Sequence, residues 1–236
     1  MNLKNTKQLD CFKCMFKKTC IFNDLDLKTQ KLWTNLKLTT TCDSGHLAYK
    51  NGETPKGFFI VCGGRMKIFT TDSRGQQMIN WIRHPGKVAG HIAFFAETDY
   101  CGSGECMGKT TVSFIDSKSF KTLLKSYPKL HHLFLQKLSK DVLKLQGSLK
   151  DTAYKSAKVK IANTLLNSIS FKSKNTNSPT MYGIKRTEIA EITGLALETV
   201  VRALAAMEKK NIIKREAKSI KIINLPELNK ISDTHL

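Results

Sequence analysis

Residues 184–213, IKRTEIAEITGLALETVVRALAAMEKKNII, constrain the fold of this chain more than any other stretch. Ile189 and Ile192 stand before Gly194 and Leu195 directly after it; Val200, Leu204 and Met207 then recur at steps of four and three. This spacing predicts two short helices joined by a tight turn, with Gly194 free to take the positive φ that the turn needs. Two helices crossing through such a turn form the helix-turn-helix unit, whose second helix can enter a DNA major groove. The same spacing suits a plain helical hairpin in a core, but flanking features favour the first reading. Glu198 and Arg202 lie four apart and off the apolar stripe, where they can face outward together. After Ile213 comes KREAKSIKII, a polar, turn-like centre between β-branched runs, which predicts a hairpin or wing.

Composition agrees with a DNA partner. The 236 residues leave room for two domains with real cores. A formal charge of +20 and a pI of about 9.7 suit a polyanion. A membrane surface is the competing polyanion, but no apolar run approaches the ~20 residues that span a bilayer. No apolar stretch of a secretory signal follows MNLKNTKQLD, so the expectation is a cytoplasmic protein without a membrane partner. From residue 155 onward fifteen Lys and Arg face seven Asp and Glu, so +8 accompanies the helix-turn-helix. A solvated, lysine-rich surface accounts for part of this excess, not for its place beside a DNA-reading helix.

The seven cysteines are odd in number and unevenly spread. Cys11, Cys14 and Cys20 form a C-x2-C-x5-C run among lysines, Cys42, Cys62, Cys101 and Cys106 are scattered through the middle, and none follows. A secreted disulfide scaffold would be shorter and even in count, so a thiolate cluster is the better fit. Three thiolates need a fourth ligand to close a four-coordinate site for zinc or an iron–sulfur cluster.

Between these ends, DLDLKTQKLWTNL (24–36) predicts a short amphipathic helix with Leu25, Leu32, Trp33 and Leu36 on one side. Over 37–116, glycines separate short runs such as FFIVC, RMKIFTT and QMINWIR, which predicts an antiparallel sandwich or roll. His46, His84 and His91 are candidate haem or metal ligands but read as structural. A short helix over 117–126 is interrupted at Pro128. Leu135, Leu138, Val142, Leu145 and Leu149 then recur at three, four, three and four, a narrow seam suited to a parallel dimer helix or to packing within its own domain. Residues 155–171 read as a further helix with Val159, Ala162, Leu165, Leu166 and Ile169 inward. SKNTNSP reads as a polar loop, and the last dozen residues as polar and frayed. No nucleophile–base pair or phosphate loop stands out, so no enzyme is expected.

The segment TEIAEITGLALETVVRALAAMEKKNIIK closely resembles the winged helix-turn-helix of the Crp–Fnr family of bacterial transcription regulators, above all in Gly194-Leu195 followed by Glu198-Thr199-Val200 and Arg202. The resemblance implies that Glu198 and Arg202 read base edges, that Val201 helps to choose the half-site, and that the DNA site is a palindrome with a TGA-like core. The candidate DNA contacts are Lys185, Arg186, Thr187, Leu197, Glu198, Thr199, Val201 and Arg202. Lys185 stands where the family usually has a capping Thr, and Ala196-Leu197 where it often has a Thr or Ser cap, so a stabilisation of ~1 kcal/mol is missing there. The spacing SG-x6-G, GGRMKIF, RG and PG-x3-G resembles the β-roll of the same family, the fold of cyclic-nucleotide-binding domains. Members that bind cyclic AMP use a Gly-Glu pair and an Arg-Ala/Ser pair after the last of these glycines. Here no arginine occurs between Arg83 and Arg186, so no cyclic nucleotide is expected.

The cysteine run resembles the N-terminal cluster motif of the oxygen-sensing Fnr branch, which implies a 4Fe–4S cluster on Cys11, Cys14 and Cys20. In that branch the central cysteine lies on the last strand of the roll, where this chain has Ser113. Cys106, seven residues earlier across an expected turn at Gly108-Lys109, is the first choice for fourth ligand, and Cys101 the next. Cys62 and Cys42 read as small buried core residues.

The expected architecture is α+β: a cysteine-rich segment (1–24), an antiparallel β-roll (25–126), a dimerisation helix (127–154) and a winged helix-turn-helix domain (155–236). The expected function is a homodimeric transcription regulator, touching RNA polymerase if it activates, that senses oxygen or redox state. Alternatives are a DNA binder with structural zinc or no metal, and a receptor for haem or a small molecule in the roll.

Overall fold

The run Gly57-Phe-Phe-Ile-Val-Cys-Gly63 is apolar on both faces of a strand, which only a strand covered on both sides tolerates. In the computed structural model, which describes residues 9–169, 179–217 and 219–233, this run is β3 (Gly57–Gly63) and is so covered. It sits inside a four-stranded antiparallel sheet of order β1 (Leu38–Cys42), β8 (Thr110–Asp116), β3, β6 (Val88–Ala89). The second sheet has the order β2 (Leu47–Tyr49), β7 (Ser103–Cys106), β4 (Met66–Thr71), β5 (Gln77–Arg83). Phe59 and Val61 point between the sheets to meet Tyr49, Met66, Cys106 and Val112. Phe58 and Ile60 point the other way, into a layer of Trp33, Phe120, Leu130 and Phe134. There the rings of Phe58 and Phe120 meet edge to face at 4.6 Å, and those of Phe58 and Phe134 at 5.6 Å.

The helices that supply this layer are α1 (Leu27–Leu36), α3 (Ser117–Ser126) and the first half of α4 (Lys129–Tyr154); the short α2 (His91–Ala96) adds Phe94. Leu32, expected inward, is 40% exposed, because α1 starts at Leu27 and turns Thr29, Gln30 and Trp33 to the core instead. Residues 9–24 also pack onto the roll. Ile21 and Phe22 enter its core, the Gln30 side chain donates to the Phe22 carbonyl at 3.0 Å, and the Thr19 hydroxyl donates to the Pro85 carbonyl at 3.1 Å. Gly86 is needed there: it has φ +87°, and a Cβ would fall 2.6 Å from the Thr19 hydroxyl oxygen.

The chain divides into two compact units, residues 1–142 and 143–236. The second unit contains α5 (Ala157–Asn167), β9 (Thr180–Tyr182), α6 (Arg186–Thr193), α7 (Leu197–Lys209), β10 (Ile213–Arg215), β11 (Ser219–Ile222) and α8 (Leu225–Asp233). Its three strands form one antiparallel sheet of order β10, β11, β9. Ile161, Leu165, Ile189, Val200, Leu204 and Ile222 share its core. The loop expected over SKNTNSP lies, apart from Pro179, outside the described residues. The last three residues lie outside the described ones, and residues 225–233 do not fray as expected. They form α8, because Leu225, Leu228 and Ile231 at steps of three give that polar segment one apolar edge, and Leu228 and Ile231 are buried.

Helix α4 carries a buried carboxylate, Asp141, as a hub for the roll's cations. Arg83 grips it with two nitrogens at 2.9 and 3.3 Å, and Lys137 reaches it at 3.4 Å. Nε2 of His91 stands 3.3 Å away without the alignment of a hydrogen bond. Burial would raise the Asp141 carboxyl, but His91, Arg83 and Lys137 outweigh it and hold the group below the usual carboxylate range. Burial pushes His91 down to about 4 and Lys137 down to about 8. Between pH 6.5 and about 4 the unfolded chain therefore takes up a proton at this histidine that the folded chain refuses. Stability should fall as pH drops through that window. Asp141 adds its own loss at lower pH as the unfolded carboxyl protonates. A His91→Asn chain should show a flatter melting midpoint between pH 6.5 and 4 than the parent; parallel curves would remove His91 from the account.

Candidate nucleic-acid interface and candidate metal centre

Helices α6 and α7 meet through Gly194, which takes φ +65° as the first helix ends, with Leu195 N–H returning to the Ala190 carbonyl. Neither helix has a side-chain oxygen at its N-terminal cap: Lys185 precedes α6 and Ala196 precedes α7. At α6 the cap works in one direction only, the Glu188 carboxylate accepting from Lys185 N–H at 2.8 Å. Helix α7 is split lengthwise. Val200, Leu204 and Met207 are buried; Leu197, Glu198 and Arg202 are exposed, with Thr199 and Val201 half-buried between them. Among the described residues neither Glu198 nor Arg202 is committed to an ion pair, so both are available to an outside partner. Lys185, Arg186 and Thr187 are exposed at the start of α6.

The expected wing is the β10–β11 hairpin, in register from Ile213 opposite Ile222 to Arg215 opposite Ile220. It is tied to the recognition helix through Glu208, whose carboxylate accepts from the Arg215 backbone N–H and Nε, each at 2.7 Å. A helix exposing Glu and Arg at i and i+4, flanked by cations and braced by a hairpin, can lie in a major groove and reach both base edges and phosphates.

The first unit holds a cavity lined by Cys11, Cys14, Cys20 and Cys62, with Trp33, Lys37 and Gly86. The N-terminal run is therefore gathered at one place, and the fourth cysteine there is Cys62. Cys106 is not. Strand β7 pairs with β4 and β2, whereas β8 pairs with β1 and β3, so 103–106 and 110–116 lie in different sheets and do not form the expected hairpin. The fully buried Cys106 faces Cys42 between the sheets, where burial pushes it up to about 12. Cys101 is exposed on a loop at a second cavity of the roll. The parity of β3 was the missed signal: Phe58, Ile60 and Cys62 share one face, and that face meets Trp33 and the N-terminal segment.

The thiol cavity is short of negative charge. Lys37 is 5% exposed, its ammonium 2.6 Å from the Cys11 sulfur, and among the described residues no carboxylate pairs with it. Trp33, fully buried, has an indole N–H without an acceptor among the described residues. A buried ammonium with no carboxylate beside it is costly; a thiolate or sulfide at its position would offset that charge. Burial pushes Cys20 up to about 11 and raises Cys62, whose thiol lies 3.1 Å from the Ser113 hydroxyl. Among the described residues no three Cys, His, Asp or Glu side chains already converge closely enough to hold a metal ion. Metal binding there requires the thiols to turn inward and lose their protons. The donor set fits a thiophilic metal or cluster.

That second cavity of the roll is lined by Tyr49, Trp81, His91, Tyr100 and Cys101. Arg83 lines it as well, but both of its terminal nitrogens are spent on Asp141. His91 is buried beside that pair.

A β-roll joined through a long helix to a winged helix-turn-helix defines a DNA-binding regulator of the two-domain type. Comparison with known proteins agrees: a cyclic nucleotide-binding domain matches residues 40–127 and a Crp-like helix-turn-helix domain matches 159–231. The chain is 24% identical to the transcriptional activator protein Anr of Pseudomonas aeruginosa, covering 94% of this chain and 91% of that one. It is 22% identical to the fumarate and nitrate reduction regulatory protein of Vibrio cholerae, covering 95% and 90%. The structure of FixK2 from Bradyrhizobium japonicum superposes with a TM-score of 0.75 at 18% identity, covering 85% of this chain and 99% of the other. The chain belongs to the Crp–Fnr family and is a DNA-binding transcription regulator, not an enzyme. Among the described residues no helix is long and apolar enough to cross a membrane.

Proposed function

We propose that this regulator acts as a homodimer on palindromic DNA and senses oxygen or redox state through an iron–sulfur cluster held by Cys11, Cys14 and Cys20 with one further ligand. The observation that carries the sensing reading is the gathering of these three cysteines at one cavity with a buried, carboxylate-free Lys37. When bound, such a cluster supplies oxygen-labile chemistry. The chain's own residues supply the response. The segment that bears the cysteines packs on the roll through Ile21, Phe22 and Thr19, and its release uncovers the core beneath α1. The regulator works where the DNA is, in the bacterial cytoplasm, and contacts RNA polymerase where it activates. Anaerobically reconstituted protein should be brown, contain iron and acid-labile sulfide, and lose colour and DNA affinity together in air. Colourless protein that binds DNA equally well in air would end this reading.

On DNA, Glu198 accepts from a cytosine amino group and Arg202 donates to guanine O6 and N7, each worth ~1–3 kcal/mol of discrimination. Val201 tunes the half-site, and Leu197 and Thr199 line the approach. Lys185, Arg186 and Thr187 meet phosphate. Arg202→Ala should flatten the preference for a TGA-containing palindrome over a scrambled site. Lys185→Ala should weaken both alike and lower the salt slope by about one unit. Titration of both sites at two salt concentrations checks this, and an unchanged cognate-to-scrambled ratio in Arg202→Ala would move the recognition surface elsewhere.

The dimer reading rests on the uncovered seam of α4. Leu135, Val142, Leu145 and Leu149 are 61%, 52%, 40% and 71% exposed on the single chain, with Leu138 half-buried, while Leu130, Phe134 and Asp141 face the core. A second copy of the helix covers such a stripe. Val142→Glu sets two like charges across the axis. Sedimentation should then show monomer with the melting profile of the roll retained, whereas an unchanged dimer would place the interface outside α4.

A further inference from the structure

Among the cysteines, Cys62 combines a place on the cavity of Cys11, Cys14 and Cys20 with attachment to the rigid sheet. The other three sit on a segment of turns and 3₁₀ helix: Cys14 N–H returns to the Cys11 carbonyl, and Cys20 N–H to that of Lys17. Strand β3 is held on both sides, by β8 and by β6, so Cys62 belongs to the sheet while the trio belongs to the N-terminal segment. The Cys62 side chain packs with Trp33 and lines the cavity of the N-terminal segment, not the inter-sheet core that contains Cys106, at the point where β3 leaves register with β8 between Val61 and Gly63. Ser113, which pairs with Ile60 across the sheet, places its hydroxyl 3.1 Å from the Cys62 sulfur and 2.6 Å from the Thr39 hydroxyl. A hydroxyl placed there can donate to a thiolate and hold its direction.

We propose that Cys62 is the fourth thiolate of the metal centre, so that the centre staples the N-terminal segment to strand β3, with Ser113 beside the anchoring sulfur. The proposal rests on the reading of Cys11, Cys14 and Cys20 as ligands. Each of the four thiols gives its proton to solvent on ligation, and the Lys37 ammonium, buried at the same cavity, meets the resulting negative charge. Loss of the centre then cuts the covalent path between the N-terminal segment and strand β3, and leaves the packing of Ile21 and Phe22 and hydrogen bonds such as that from Thr19 to Pro85 to hold it.

The test uses the full chain, reconstituted without oxygen with ferrous iron and sulfide, with iron, sulfide and zinc counted per chain. The parent and Cys106→Ser should take up equal iron, and Cys62→Ser should lose it while its iron-free form melts like the parent. Cys62→Ser combined with Ser113→Cys moves the thiol to the side chain that touches it and should recover iron. In the parent, alkylation should label Cys62 in the iron-free chain and spare it in the loaded one; Cys101 should be labelled in both, and Cys106 in neither. This footprint decides the matter even where Cys62→Ser fails to fold. Full iron in Cys62→Ser would overturn the proposal, as would equal labelling of Cys62 in both forms. So would a double variant that melts like the parent but stays empty. Zinc in place of iron with the same footprint keeps Cys62 as ligand and ends the iron–sulfur reading; a parent chain that binds no metal ends both.

Discussion

Strand β3 has no solvent face, and the first unit is built around that fact. A strand covered on both sides must find two apolar layers. One is the second sheet, met by Phe59 and Val61; the other is helical, met by Phe58 and Ile60. The helical layer draws on pieces far apart in sequence, since Phe22, Trp33, Phe94, Phe120 and Phe134 come from the N-terminal segment, α1, α2, α3 and α4. The aromatic cluster thus joins the cysteine-bearing segment and the long helix to one strand. A change that frees the segment exposes part of the layer on which α4 also rests. That shared layer gives a physical route from the thiol cavity to the helix, by packing alone.

Much of this was legible in the residues because local signals and the final packing agree. Gly194 takes the left-handed turn that the spacing of Ile189, Ile192 and Val200 demanded, and the wing follows from the two β-branched runs around a polar centre. The antiparallel roll follows from its glycine-punctuated strands. What was not legible is which strands pair. Gly108 made a hairpin of 103–106 with 110–116 the economical reading, but the chain crosses between sheets there, and Cys106 is carried into the inter-sheet core. Cys62 was readable from parity alone, provided β3 is taken as buried on both faces. The helix at 225–233 was missed because its two buried residues are a small share of a polar segment, and the neighbouring α5, far away in sequence, gives that edge something to cover.

Helix α4 carries two apolar stripes, one buried on the roll and one exposed. Leu130, Phe134, Lys137 and Asp141 follow steps of four, three and four along the face that meets the roll; Leu135, Leu138 and Val142 follow the same period one position on. A face ending in aspartate is unusual for a core, yet Asp141 is matched by Arg83, which stacks over Trp81 at 4.4 Å and gives both terminal nitrogens to the carboxylate. Such a buried pair contributes little net stability against an apolar replacement, because desolvation offsets most of the attraction. Its geometry is directional in a way that leucine packing is not. A two-pronged grip at residue 141 fixes the rotation of α4 on the roll, and with it the direction in which Val142 faces. A helix held by apolar contacts alone can turn by a fraction of a residue at small cost, which would turn the exposed stripe with it. The charged hub is therefore best understood as setting the register of the apolar stripe, with the roll acting as the frame against which that register is defined.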